Sequence, residues 1–206
     1  MLTQPAKVII SFLLSFLALF LYVRFKNRER KLCMFAMFSS TVGDIFMTDI
    51  LQIGSSSTYF GAFFFILAHC VYAICFIKAS YQKNYHLFNV GMIVGICVSI
   101  IAILSLYILM INVTGSIQSM FIPLIGYMLF ISINLVCQFS YAYSEKGKRR
   151  FLYLGMLLFL VSDFLVFMPM LNIVVETQTF NDYIWFTYIP AQILIILFNS
   201  DFKCTC

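Results

Sequence analysis

Seven long apolar stretches, separated by short polar segments, dominate this sequence of 206 residues. A helix of about 20 apolar residues crosses the hydrocarbon core of a bilayer, and the stretches are close to that length. None of them alternates polar with apolar residues, so the pattern favours helices over the strands of a membrane barrel. We therefore predict an all-α, polytopic transmembrane helical bundle that forms one domain over residues 1–206, with spans at about 8–23, 32–51, 59–77, 88–111, 120–142, 151–172 and 183–199.

The composition supports a membrane protein. Hydrophobic residues make up 63% of the chain and charged residues 10%, and the mean hydropathy is +0.99. One soluble core of this size could not bury so many apolar side chains, so lipid must solvate much of the surface. Soluble, collagen-like, disordered and nucleic-acid-binding classes are thereby excluded, and the expected surroundings are membrane lipid rather than nucleic acid.

The basic residues predict the orientation. Of the 13 Lys and Arg residues, all but Lys7 fall in segments that alternate spans would place on one side. The positive-inside rule then puts the N-terminus outside and the C-terminus in the cytoplasm, in a bacterial plasma membrane or a eukaryotic endoplasmic reticulum. The first apolar stretch runs into the basic segment 24–31 without a small-residue cleavage site, so we predict a retained span rather than a signal peptide.

The cysteines and histidines indicate neither a disulfide framework nor a metal site. The chain has seven cysteines, and most of them lie within apolar stretches, where free Cys behaves as a small hydrophobic residue. Cys204 and Cys206 provide two thiolates near the end of the chain, too few for a closed zinc site, and His69 is the single histidine within a span. We expect no metal and no cofactor.

Three aspartates fall within the apolar stretches: Asp44, Asp49 and Asp163. An aspartate at mid-span costs roughly 2.5–3.5 kcal/mol on the insertion scale, so such residues are candidates for function. Asp49 lies within a helical turn of the end of its stretch and can reach the interface. The alternative for Asp44 and Asp163 is a structural one, in which a neutral carboxyl group is hydrogen-bonded between helices.

Other polar residues are predicted at a similar depth. Counted from the nearest basic residue at about 1.5 Å per residue, His69, Asn134 and Gln192 fall in the same layer as Asp44 and Asp163. Helical spacing places Ser40 on the face of Asp44, and Tyr72 on the face of His69. We expect these side chains to face the bundle interior and to bind or orient a substrate; the alternative is hydrogen bonding that only joins neighbouring helices.

Four motifs in order carry a family resemblance: Ser-Thr-Val-Gly43-Asp44, the Gly61-to-His69 segment with Tyr72, the Gly155-to-Asp163 segment, and Tyr188-Ile-Pro-Ala-Gln192. Together they resemble the YhhN-like lysoplasmalogenase family, and the likeness covers about positions 4–199. It includes Gln4-Pro5-Ala6-Lys7 near the start and Pro123-x-x-x-Tyr127 in the fifth span. Family members usually have eight spans, so the resemblance implies that this chain begins near their second.

The resemblance implies hydrolysis of the vinyl ether bond of a lysoplasmalogen, giving a fatty aldehyde and glycerophosphocholine or glycerophosphoethanolamine. Enol ether hydrolysis needs a proton donor and a negative charge near the developing oxocarbenium ion. Two buried carboxyl groups suit this chemistry, one protonated as the acid and the other ionised. We expect Asp44 and Asp163 to be catalytic, with Gln192 as partner of water or a carboxyl group.

In this interpretation His69 and Tyr72 orient the substrate or contact its headgroup, and the substrate is a lysophospholipid. A second interpretation is a small-solute or proton-coupled transporter in which Asp44 and Asp163 carry protons. A faint echo between the segments ending at His69 and at Asp163, which run in opposite directions, is in keeping with inverted repeats. A third is a lipid-binding or assembly factor without turnover.

Overall fold

The chain folds into seven helices in a computed structural model that describes residues 3–48, 50–52, 54, 56–111, 121–145, 150–171, 173, 175 and 177–199. The helices are α1 (Gln4–Phe25), α2 (Arg28–Met47), α3 (Ser56–Gln82), α4 (Val90–Ile111), α5 (Phe121–Ser144), α6 (Arg150–Met170) and α7 (Gln178–Phe198). The prediction of an all-helical fold is confirmed. Asp49, Cys204 and Cys206 lie outside the described residues.

Five helices are long and apolar enough to cross a membrane by length and composition: α1, α3, α4, α5 and α6. Neither α2, which begins in the basic segment Arg28–Lys31, nor α7, whose first turns contain Asn181 and Asp182, is among them. The chain is thus a helical membrane protein, whereas the count of seven spans and their orientation stay predictions.

Helix caps explain why α2 and α7 begin earlier than the apolar stretches predict. The side chain of Asn27 accepts a hydrogen bond from the backbone N–H of Arg30, which starts α2 within the basic segment. Thr177 caps α7 in the same way through the N–H of Phe180. A cap satisfies backbone donors that the first turn leaves unpaired, so a helix can start among polar residues.

Six helices form a ring, and α4 lies outside it. Consecutive contacts run from α1 to α2, α3, α5, α6 and α7, and α7 closes the ring against α1 and α2. Helix α4 packs against α5, and its other faces expose apolar side chains such as Ile93, Ile101 and Ile108. In a bilayer these faces would contact lipid, since apolar side chains at that depth need no other partner.

Glycines allow close helix contacts at two places, between α2 and α3 and between α4 and α5. A Cβ atom on Gly43 of α2 would lie 3.0 Å from the Phe65 ring and 3.2 Å from the carbonyl oxygen of Gly61 on α3. A Cβ atom on Gly91 of α4 would lie only 2.3 Å from the carbonyl oxygen of Phe139 on α5. Small residues let the backbones of membrane helices approach closely. The contact between Gly43 and Gly61 therefore places the end of α2 beside α3.

The five cysteines that the structure describes are free, as the sequence predicts: Cys33, Cys70, Cys75, Cys97 and Cys137.

Candidate active site

A cavity of about 640 Å³ lies between the six ring helices. Each of these helices contributes to its wall, and no lining residue comes from α4. The cavity lies toward the end of the bundle where α1, α3 and α7 begin, because Gln4, Thr58 and Asn181 line it. Tyr59 and Val175, which also line it, are 53% and 80% exposed, so the cavity reaches the protein surface at this end.

Asp44 of α2 and Asp163 of α6 both line this cavity. The two residues are 4% and 6% exposed, so both carboxyl groups are withdrawn from the surface. Neither carboxyl group points into the surrounding lipid, and a single bound molecule in the cavity could contact both.

Two hydroxyl groups hold Asp44. Its Oδ2 atom accepts hydrogen bonds from Ser11 Oγ of α1 at 2.6 Å and from the Tyr188 hydroxyl of α7 at 2.8 Å. Ser11 is fully buried and Tyr188 is 4% exposed. Hydrogen bonds to a carboxyl group are among the stronger ones in proteins, so these contacts fix the Asp44 side chain at the junction of three helices.

Asp163 is held less tightly. The Tyr127 hydroxyl of α5 donates to Asp163 Oδ1 at 3.3 Å, and His69 Nε2 of α3 lies 3.6 Å from Asp163 Oδ2. Asp163 Oδ2 has no hydrogen-bond partner among the described residues. This oxygen is thus screened from solvent and left without a hydrogen bond, whereas Asp44 Oδ2 accepts two.

Asn134 orients the His69 ring. Asn134 Nδ2 of α5 lies 3.0 Å from His69 Nδ1, on the side of the ring away from Asp163. An amide nitrogen can only donate, so with this amide orientation Nδ1 accepts and the ring proton of neutral His69 is on Nε2. Phe159 packs edge-on against the fully buried ring at 4.9 Å. His69 thus directs an N–H toward Asp163.

Of the predicted site residues, Asp44 and Asp163 line the cavity and the others do not. The Tyr72 hydroxyl donates to Gln192 Oε1 at 3.0 Å, and both side chains are buried without lining the cavity. Ser40 is buried as well, and its hydroxyl has no hydrogen-bond partner among the described residues. The structure therefore brings His69 and Asn134 to Asp163, and it joins Tyr72 to Gln192 outside the cavity wall.

Sequence reasoning gave no role to the hydroxyl groups that hold the carboxyl groups. Tyr127 and Tyr188 stand within the family motifs, but no role followed from their position alone. Ser11 lies in an apolar stretch, and the signal that could have indicated it is its spacing of four residues from Ser15 and from Lys7, which puts all three on one face of α1. All three are fully buried.

No group of three or more His, Cys, Asp or Glu residues that could hold a metal ion occurs in the part of the chain that the structure describes. The expectation of a site without metal or cofactor stays a prediction. The described groups are two carboxyl groups, two phenols and an imidazole, a set suited to moving protons and stabilising positive charge.

The fold and the cavity define a class: a helical membrane protein with a polar site enclosed by apolar helices. The chain belongs to the YhhN family, whose family model matches residues 4–198. This confirms the family that the sequence motifs indicated. Comparisons with curated proteins and with solved structures find no match.

Proposed function

We propose that this protein hydrolyses the vinyl ether bond of lysoplasmalogens, releasing a fatty aldehyde and a glycerophospho-choline or -ethanolamine. The observation that carries the proposal is that Asp44 and Asp163, both buried, line one cavity of about 640 Å³. Membership of the YhhN family supports it, since the sequence motifs resemble the lysoplasmalogenases of that family.

The reaction uses one water molecule and returns both carboxyl groups to their starting states. A carboxylic acid transfers its proton to the β-carbon of the vinyl ether, leaving an oxocarbenium ion that the neighbouring carboxylate stabilises. Water adds to the α-carbon, its proton passes to a carboxylate, and a hemiacetal results. The protonated carboxyl group then gives its proton to the sn-1 oxygen as the bond from that oxygen to the carbon breaks, and the hydroxyl group loses its proton to the other carboxylate and becomes the carbonyl group of the aldehyde.

Asp44 and Asp163 act as a pair in this scheme, one protonated and one ionised. Ser11 and Tyr188 hold the Asp44 carboxyl group, while His69 and Tyr127 hold that of Asp163. Two carboxyl groups in one enclosed site titrate as a coupled unit, so the proton belongs to the pair. Glycosidases handle a similar oxocarbenium-like transition state with two carboxyl groups, which is an analogy in chemistry alone.

The apolar part of the cavity wall suits the single hydrocarbon chain of the substrate. The side chains of Met47, Phe65, Phe167 and Ile184 line the cavity beside the two aspartates. A hydrocarbon chain gains free energy by leaving water for such a surface, at about 25 cal/mol per Å² of apolar area buried. This contact would hold the vinyl ether at the level of the carboxyl groups.

The test compares alkenyl and alkyl lysophospholipids on the purified protein, with aldehyde release followed by an aldehyde dehydrogenase. We expect only the alkenyl compound to react. Asp44→Asn and Asp163→Asn should each lower turnover by about 10²–10⁴-fold, the usual contribution of general acid–base catalysis.

Glu145→Gln is the matched control, because it removes a carboxylate that pairs with Lys83 away from the cavity. Size-exclusion profiles and thermal unfolding show whether each variant folds. Unchanged turnover in a folded Asp44→Asn or Asp163→Asn variant would overturn the mechanism. Solute accumulation in proteoliposomes without any bond cleavage would replace the hydrolase by the transporter.

A further inference from the structure

The part of the cavity wall that the structure describes carries acidic groups and no basic ones. Asp44 and Asp163 are the charged residues of this lining, and the other residues are apolar, aromatic or neutral polar. No lysine, arginine or histidine is among them. The mechanism proposed above uses the two carboxyl groups for a reaction, and the same groups also determine which charge a bound molecule can carry.

Two basic side chains near the carboxyl groups lie outside this wall. The fully buried His69 ring has its Nε2 atom 3.6 Å from Asp163 Oδ2. Lys7 is four residues from Ser11 on α1 and is fully buried as well, with its Nζ atom 3.8 Å from Asp182 Oδ1. Lys7 therefore has a carboxylate of its own, and neither basic group lines the cavity.

Aromatic rings stand beside Asp44. The ring of Tyr188, whose hydroxyl group donates to Asp44, packs edge-on against two others. The centroid distances are 6.2 Å to Phe65 and 5.4 Å to Trp185. All three rings line the cavity.

The surroundings of Asp163 are similar. Tyr127, whose hydroxyl group donates to Asp163, packs edge-on against Phe167 at a centroid distance of 5.4 Å, and both rings line the cavity. Carboxyl groups set among aromatic rings are a typical environment for an ammonium group, because the negative faces of the rings attract a cation in addition to the carboxylate.

We propose that this cavity binds single-chain lipids that carry a protonated amine, such as long-chain amino alcohols, with the ammonium group at the level of Asp44 and Asp163. The preference for a cation follows from the cavity wall. The position of the amine rests on the proposed function, because an ammonium group in place of the sn-1 oxygen puts its charge where the oxocarbenium ion develops. Such lipids would inhibit the hydrolysis.

The balance of charge favours this ligand. With one carboxyl group protonated and one ionised, the pair has a single negative charge, which one ammonium group neutralises. An ion is costly to bury alone, but the cost is offset when an opposite charge and hydrogen-bond partners meet it. A secondary ammonium group offers two N–H donors to the pair. The cavity of about 640 Å³ has the volume of a typical ligand pocket, about 300–1,000 Å³.

The test compares two probes that differ in one group. In 1-hexadecylglycerol an ether oxygen joins the chain to the glycerol, and in 3-(hexadecylamino)propane-1,2-diol a secondary amine, protonated at neutral pH, takes its place. Binding to the purified protein in lipid nanodiscs is followed by the fluorescence of Trp185, which lines the cavity and is the only tryptophan in the chain. Dissociation constants are expressed as mole fractions of nanodisc lipid, which removes differences in partitioning between the probes.

We expect the amine to bind about 10–100-fold more tightly than the ether, the gain from a hydrogen bond with a charged group. The double variant Asp44→Asn/Asp163→Asn should lose this preference and bind the ether nearly as before. Both residues are changed because one remaining carboxyl group could still ionise. Glu145→Gln removes a carboxylate away from the cavity and, as the matched control, should keep the preference.

A third probe, heptadecanoate, serves if the double variant does not fold. It has a similar chain and a negative charge, so the wild-type protein should bind it more weakly than the ether. Equal binding of the amine and the ether by the wild-type protein would overturn the proposed cation site. A preference for the amine that persisted in the folded double variant would do so as well.

These results are separate from those that test catalysis. Vinyl ether hydrolysis by a protein that does not prefer the amine would leave the proposed function standing and remove this inference. A preference for the amine that depends on the two aspartates, in a protein that cleaves nothing, would do the reverse. If both proposals hold, the amine should raise the apparent KM for the alkenyl substrate and leave kcat unchanged.

Discussion

Asp44 and Asp163 differ in how firmly their neighbours hold them. Asp44 Oδ2 accepts two hydroxyl hydrogen bonds of 2.8 Å or less, whereas the contacts of Asp163 are 3.3 and 3.6 Å long. Longer contacts are weaker and constrain a side chain less. We therefore expect the Asp44 carboxyl group to act as a fixed element of the site and that of Asp163 to move more on substrate binding.

Removal of the hydroxyl group from Tyr188 tests this difference. Tyr188→Phe deletes a donor to Asp44 but keeps the ring contacts with Phe65 and Trp185. We expect kcat to fall about tenfold or more, since a hydrogen bond to a charged group contributes about 1.5–3 kcal/mol, and KM to change little. Steady-state kinetics on the alkenyl substrate provide the measurement.

Tyr127→Phe should lower kcat by less, because its hydroxyl lies farther from Asp163. Tyr143→Phe changes an exposed tyrosine near the opposite end of α5 and should have no effect. If Tyr188→Phe and Tyr143→Phe gave the same kcat, the hydroxyl group of Tyr188 would have no catalytic role.

The charged residues of the site could be predicted from the sequence, and their partners could not. Asp44 and Asp163 stand out because a carboxyl group within an apolar stretch is costly. Ser11 and Tyr188 do not, since a hydroxyl group is cheap to bury and the chain has 12 tyrosines. Their role depends on how α1 and α7 are rotated about their axes, which spacing along one helix does not determine.

At the scale of helices, substitutions at two glycines test the packing of the site and the packing of α4 separately. Gly91→Ala would force a Cβ atom against the backbone of α5, and Gly43→Ala would press one against Phe65 and the backbone of α3. Overpacking of this kind costs about 1–3 kcal/mol. We expect both variants to unfold at lower temperature, as followed by the fluorescence of Trp185, the only tryptophan in the chain.

Their activities should differ. Gly43→Ala shifts the helix segment that carries Asp44 and should lower turnover per folded molecule, whereas Gly91→Ala should leave it nearly unchanged because α4 does not line the cavity. Gly126→Ala is the control, since no atom lies within 4 Å of its added Cβ. An equal loss of turnover in Gly91→Ala and Gly43→Ala would show that α4 contributes to the site.

Apolar stretches predicted the existence of each helix, but not the helix ends or neighbours. Asn27 and Thr177 extend α2 and α7 through polar segments by capping them, which hydropathy does not detect. The position of α4 outside the ring could not be predicted either. Its stretch is the most apolar of the five span candidates, yet a high hydropathy describes a lipid-facing helix and a core helix alike.

For the whole molecule, the main prediction concerns topology. Seven crossings require the two ends of the chain to lie on opposite sides of the membrane, with residue 3 outside and the turn around Asn84 in the cytoplasm. Single cysteines at Thr3 and Asn84, in a background without the native cysteines, should react with an impermeant thiol reagent from opposite sides. A tag at the C-terminus should be inaccessible from outside, as the cysteine at position 84 should be.

Labelling of Thr3 and the C-terminal tag from the same side would contradict seven crossings, and would indicate that α2 or α7 does not cross the membrane. Labelling of Thr3 only from the cytoplasmic side would reverse the orientation. Both results are informative because α2 and α7 carry Asp44 and Tyr188, so their depth in the bilayer is also the depth of the site.

The cavity reaches the surface at the end of the bundle where Tyr59 and Val175 are exposed. Under the proposed reaction, the glycerophosphodiester would diffuse from this opening into bulk water, while the aldehyde, with its long hydrocarbon tail, would dissolve in the bilayer. The two fragments would then occupy different phases as soon as they form. Because recombination requires them to meet again in one phase, this partition would drive cleavage toward completion without any added source of free energy.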